Sequence, residues 1–263
     1  MKLIKTLSGL SGCNIFLFEK NNEFIVRKVS KDVLYNERLI TQIVNQKNFN
    51  HPIIKTPEIH CTGYSNDLFF CDMEYVDGIT FSDFISTYPF KVSRKYFETI
   101  CKFIIEKNVV IQEINKEIFF KKIDEINHKV RLGDRVLSEL NKNIPHNLYE
   151  CSIHGDLTFE NIIISNDGHI YFIDFLDSFI NDFFIDISKI KQELNLFWSC
   201  RSGVPNLNTK IKYNKLKILF KKHILNHVDE DSVSFYNLLT LIRILPYSSE
   251  YEKKIIEKEL KYE

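Results

Sequence analysis

The sequence lacks a charge excess of either sign, an apolar stretch long enough to span a bilayer, and closely paired cysteines. Its 35 basic and 35 acidic residues balance over 263 positions, so the overall charge draws the chain to neither nucleic acid nor an anionic membrane. Any phosphate recognition has to be local. Polar or charged residues interrupt every hydrophobic run before about 18 residues, and the opening MKLIKTLSGLSG contains no leader-like apolar core. The expectation is a soluble cytoplasmic protein without membrane insertion. The six cysteines, at 13, 61, 71, 101, 151 and 200, show no C-x-x-C spacing and are too sparse for a disulfide scaffold, which leaves reduced, mostly buried thiols. No repeat, low-complexity tract or disordered linker is evident. Hydrophobic residues supply 44% of the chain, enough for one large domain or two coupled lobes.

The first part reads as strands. Ile15 to Phe18 and Phe24 to Val29 are β-branched and aromatic runs joined by Lys20-Asn21-Asn22, which predicts a hairpin. A helix is expected from Asp32 to Val44, followed by short strands at Ile59 to Tyr64 and Leu68 to Met73. Beyond Gly78 the spacing turns helical, over Phe81 to Ile85, Tyr96 to Ile111, Ile118 to Leu140 and from Ile187 to the end. One small hairpin, Ile162 to Ile164 and Ile170 to Ile173 around Asn166-Asp167-Gly168, interrupts that helical half. This predicts a β-rich lobe over residues 1–76 and a mainly helical lobe over 77–263.

The hairpin carries the most informative residues. His154-Gly155-Asp156 and Asn161 precede it, and Asp174 and Asp177 follow it. Phosphoryl transfer needs oxygen ligands for magnesium and a carboxylate that orients the attacking hydroxyl and accepts its proton. Asp156 suits the base. Asn161 and Asp174, at the open end of a hairpin, suit the metal ligands. The alternative is an ordinary polar turn whose Asp and Asn side chains cap nearby backbone.

These motifs, H-G-D-x-x-x-x-N and I-D-x-x-D, resemble those of the protein-kinase-like superfamily, and more closely its aminoglycoside phosphotransferase and choline kinase branch. The resemblance implies an α+β, two-lobed fold with a β-rich amino-terminal lobe, one main helix there, and a mostly helical carboxy-terminal lobe. It implies ATP and Mg2+ as cofactors, Asp156 as catalytic base, and Asn161 and Asp174 as metal ligands. It also assigns provisional nucleotide contacts. Gly9, Ser11 and Gly12 precede the first predicted strand and resemble the nucleotide-covering loop. Lys28 matches the lysine that positions the α and β phosphates, with Arg27 on the opposite strand face and a one-residue register error able to exchange them. Glu37, on the following helix, is the expected partner of Lys28. Phe69 to Gly78 resembles the interlobe hinge, where backbone groups of Glu74 and Val76 would meet adenine. Asp186 is expected to brace the catalytic loop and His154 to orient it.

Eleven residues separate Asp174 from Asp186, too few for the activation and docking segment of a protein kinase. The expected partner is therefore a small-molecule hydroxyl: a sugar, amino-sugar, choline-like alcohol or aminoglycoside. An atypical protein kinase and a non-catalytic nucleotide-binding module are the alternatives. Trp198, Arg201, the Asp229-Glu230-Asp231 cluster and Tyr236 are the candidate acceptor residues, each with a plain structural alternative as core or helix cap.

Overall fold

The structure, a computed structural model, describes residues 1–7, 13–201 and 203–260. In chain order the first stretch forms β1 (Lys2–Leu7), β2 (Cys13–Lys20), β3 (Glu23–Ser30), α1 (Asn36–Asn48), β4 (Ile54–Lys55), β5 (Ile59–Ser65), β6 (Leu68–Glu74) and β7 (Gly78–Thr80). The middle adds α2 (Phe81–Thr87), α3 (Phe90–Ile105), β8 (Val110–Glu113), α4 (Lys116–Val130), α5 (Asp134–Lys142) and β9 (Asn147–Glu150). The last stretch adds β10 (Ile162–Ser165), β11 (Ile170–Phe172), α6 (Phe183–Leu196), α7 (Leu207–His223), α8 (Glu230–Ile244) and α9 (Glu250–Leu260).

The chain divides into two compact units, one of Met1–Phe81 with Asn161–Asp177, the other of Ser82–Glu160 with Ser178–Glu263. The first unit holds a five-stranded sheet in the order β1-β2-β3-β6-β5 and a four-stranded sheet in the order β4-β11-β10-β7. The predicted β2–β3 hairpin turns through Asn21 and Asn22, both at positive φ (53° and 66°). Asparagine tolerates that region better than most residues, and it matches the twist of a two-residue hairpin. Leu39 and Ile43 of α1 pack on Phe69, Cys71 and Met73 of β6, which gives this unit its core. The β10–β11 hairpin belongs here because its two outer edges are filled: β7 pairs antiparallel with β10 and β4 parallel with β11.

The second unit is mainly helical, with one small sheet of β8 and β9. Helices α6 and α8 form its centre, where Phe184 stacks on Tyr236 at 5.7 Å and Phe119 meets Tyr236 edge-on. Two helical expectations change. Helix α3 ends at Ile105, and Val110 and Ile111 lie in β8, as befits a β-branched run. The stretch 118–140 is two helices, because Arg131 turns left-handed (φ 50°) at the end of α4 and the Asn127 side chain accepts the Leu132 N–H there. No helix among the described residues is long and apolar enough to cross a membrane.

Candidate active site

In the first unit, strand alternation gives Arg27 and Lys28 opposite faces of β3. Arg27 makes two hydrogen bonds to Asp72, at 2.6 and 2.7 Å, with its guanidinium over the Phe70 ring. Lys28 points the other way and is 4% exposed. Its Nζ lies 2.7 Å from Asp174 Oδ1. Burial works against a charged lysine, but the Asp174 carboxylate outweighs it, and the Lys28 pKa lies above its ordinary value.

Asp174 follows the hairpin in a left-handed conformation, φ 60°, an uncommon backbone state for an aspartate and one that clusters at functional sites. The Ile162–Phe172 pairing and the bond from Ile173 N–H to the Asn161 carbonyl close the hairpin's open end, so Asn161 and Asp174 flank it. Helix α1 holds the residues beyond: Arg38 Nε meets Asp177 Oδ1 at 2.8 Å, and the Asn45 amide donates to the Leu176 carbonyl.

The expected Lys28–Glu37 pair is not made among the described residues. Glu37 sits exposed in the first turn of α1, while Asp174 occupies the lysine. Glu74 ends β6 with its N–H donating to the Glu58 carbonyl and its carboxylate accepting the Glu58 N–H. Val76 follows, buried. Gly9, Ser11 and Gly12 lie outside the described residues.

The oxygen donors of Asn161 and Asp174 are of the kind magnesium prefers. No cluster of three His, Cys, Asp or Glu side chains suited to a metal occurs among the described residues, but magnesium is commonly held by one or two protein oxygens together with nucleotide phosphates. The donor set fits the ion.

In the second unit, one face of α6 holds the loop 154–160. Asp182 caps the helix by accepting the Phe184 N–H. One turn on, Asp186 is fully buried and accepts the backbone N–H groups of His154 and Gly155, both at 2.9 Å, and the ammonium of Lys107 at 2.7 Å. Burial alone would raise the Asp186 pKa. Lys107, His154 and those amides reverse it, and the carboxyl lies below its usual range. Gly155 has φ 83°, a conformation glycine adopts without penalty.

Further along α6, Lys189 Nζ lies 3.0 Å from Asp156 Oδ1. The Asp156 N–H donates to the ring Nδ1 of His154, which is 1% exposed. Glu193 accepts the Phe159 N–H, the Ser199 N–H and the Tyr213 hydroxyl. Burial outweighs these donors and pushes its carboxyl up to about 7.

The remaining candidates divide. Arg201 joins Glu160 and Glu252, each at 3.1 Å, and lies over the Trp198 ring at 4.6 Å. Asp229 is a helix cap, accepting the Ser232 N–H at the start of α8, and Tyr236 is core. Sequence reasoning found Asp186 and His154 but not Lys107, Lys189, Glu193 or Arg38. The signal for two of these was present: Lys189 and Glu193 stand three and seven residues after Asp186, on the same helical face.

Residues 121–202 match the model of the phosphotransferase enzyme family, an interval that contains Asp156, Asn161, Asp174 and all of α6. A thermostable mutant of aminoglycoside phosphotransferase APH(4)-Ia, in ternary complex with AMP-PNP and hygromycin B, superposes with TM-score 0.66 at 15% identity, over 98% of this chain and 93% of that one. Aminoglycoside-3'-phosphotransferase of type VIII gives 0.56 at 14% identity, over 91% and 92%. A provisionally named fructosamine-3-kinase from Haemophilus somnus 129PT gives 0.60 at 15%, over 97% and 90%. No curated protein sequence matches. The chain has the α+β, two-lobed protein-kinase-like fold of these enzymes, and it resembles the phosphotransferase enzyme family in the segment that holds its motif residues.

Proposed function

We propose that the protein is a small-molecule kinase that transfers the γ-phosphate of ATP to a hydroxyl group of a sugar, amino-sugar, choline-like alcohol or aminoglycoside. The observation that carries this reading is the contact between the buried Lys28 and Asp174. It joins a strand lysine and a hairpin aspartate, far apart in sequence, that the motifs separately assign to nucleotide phosphate and its metal. The complexes of APH(4)-Ia with AMP-PNP and with ADP support ATP as donor.

In this reading Lys28 meets the α and β phosphates, and the Glu74 carbonyl and Val76 N–H take adenine. Gly9, Ser11 and Gly12 complete the proposed nucleotide contacts. Asn161 and Asp174 hold magnesium, which when bound neutralises charge on the β and γ phosphates. Asp156 accepts the proton of the acceptor hydroxyl. The freed oxygen forms a bond to the γ-phosphorus, the bond to the β–γ bridging oxygen breaks, and ADP leaves.

Incubation with magnesium and γ-labelled ATP, in a fractionated extract supplemented with sugars, choline and aminoglycosides, tests the class. Label in a metabolite supports it, whereas label in protein favours an atypical protein kinase. Asp156→Asn is expected to lower turnover by about 10²-fold or more with nucleotide binding retained. Unchanged turnover rejects the base assignment. Asp174→Ala is expected to weaken nucleotide binding when magnesium is present and to change it little without the ion, as titration under both conditions will show.

A further inference from the structure

Nothing in the proposed chemistry calls for a lysine beside the base, yet α6 supplies one. Asp186, Lys189 and Glu193 share a helix face and meet the loop in order: Asp186 at the amides of His154 and Gly155, Lys189 at the Asp156 side chain, Glu193 at the amide of Phe159. The two outer residues hold backbone. The middle one holds the reactive carboxylate itself.

Lys189 is 8% exposed, and besides Asp156 its ammonium donates to Gln192 Oε1 at 3.3 Å. A buried ammonium is tolerated when a carboxylate compensates it with good geometry, and the carboxylate found here is the one assigned to take up a proton. An ion pair of that length restricts the carboxylate to one orientation, and orientation of a base is worth rate.

We propose that Lys189 is a positioning residue for phosphoryl transfer, holding the Asp156 carboxylate aimed at the acceptor hydroxyl through their ion pair. The proposal rests on the base role of Asp156 given above. In the step it serves, the hydroxyl proton passes to Asp156. The oxygen's electron pair forms the bond to the γ-phosphorus, and the electrons of the bond that breaks depart with ADP.

The test uses the full chain and magnesium–ATP hydrolysis with water as acceptor, so no acceptor need be known. Wild type is compared with Asp156→Asn, Lys189→Met, Lys189→Arg and the double variant Asp156→Asn/Lys189→Met, each with its melting temperature. Lys189→Met is expected to lower kcat by about 10- to 100-fold while KM for ATP stays within about twofold. Lys189→Arg, which keeps the charge, should recover to within about fivefold of wild type. The double variant should be no slower than Asp156→Asn, because a lysine acting through that carboxylate has nothing left to act on. If Lys189→Met does not fold, Lys189→Gln takes its place, since it removes the charge but keeps a polar end for Gln192.

Wild-type kcat in the neutral variant, a change in KM alone, or a double variant slowed by the full additional factor overturns the proposal. An unchanged Lys189→Met beside an inactive Asp156→Asn overturns this inference and spares the base assignment. Wild-type turnover in Asp156→Asn overturns both.

Discussion

The loop 154–160 and the hairpin 161–177 are consecutive in the chain, yet they are held in opposite ways. The loop has no ladder of its own and depends on side chains from α6, two of them fully buried carboxylates. The hairpin sits in a four-stranded sheet, pinned by backbone pairing on both edges, and its side-chain tie to α1, Arg38 with Asp177, is largely exposed. A backbone ladder spreads its stabilisation over many weak contacts, whereas a buried charge concentrates it in one. Single substitutions should therefore damage the loop far more than the hairpin strands, with Asp174, the partner of the buried Lys28, standing apart from both.

The largest effect is expected at Asp186. Its replacement by alanine leaves Lys107 buried without a counter-charge and two amides without an acceptor, so about 3–5 kcal/mol of stability should be lost in urea unfolding. A loss below about 1 kcal/mol would show that the loop does not lean on this group.

Glu193 sharpens the same point through pH. Its native pKa, about 7, exceeds the ordinary 4.5, so the native state binds the proton more tightly than the unfolded chain. That contribution is complete below about pH 4.5 and is lost as pH rises through 7, a change on the order of 2–3 kcal/mol. Melting temperatures of wild type and Glu193→Gln, measured from pH 4.5 to 8, should show wild type losing ground steadily. A constant difference would contradict the shift.

On the hairpin side the vulnerable point is a close backbone approach. A Cβ added at Gly78 of β7 would lie 2.4 Å from the Ile164 carbonyl oxygen and 2.7 Å from Ser165 Cα. Gly78→Ala should cost about 1–3 kcal/mol, as overpacking does. The smallest effect belongs to Arg38→Ala, where an exposed pair is worth less than about 1 kcal/mol. If Arg38→Ala proved as damaging as Asp186→Ala, the contrast between the two segments would fail.

The sequence made the hairpin visible because its signals are local: two isoleucine-rich runs and an Asn-Asp-Gly turn. It could not reveal that two-residue β4 and three-residue β7 would complete the sheet, since so short a strand has no periodicity to detect and both pairings are remote in the chain. Alternation placed Lys28 and Arg27 on different faces, but which face met Asp174 depended on the whole sheet. The expected Lys28–Glu37 pair failed because sequence order says little about which of several acids a buried lysine will reach. On α6 the helical spacing of Lys189 and Glu193 was readable. What they touch was not, because the loop they hold is irregular.

The pairings of Ile54 with Ile170 and of Ile79 with Ile164 bear on how the chain matures during synthesis. A nascent chain ending before residue 161 exposes β4 and β7 with no hairpin to receive them, although the β2–β3 pair can already form from neighbouring segments. Translation at about 5–20 residues per second imposes an interval of several seconds before the hairpin emerges and the sheet can close. During that interval, short unpaired strand edges are what a chaperone would find to shield.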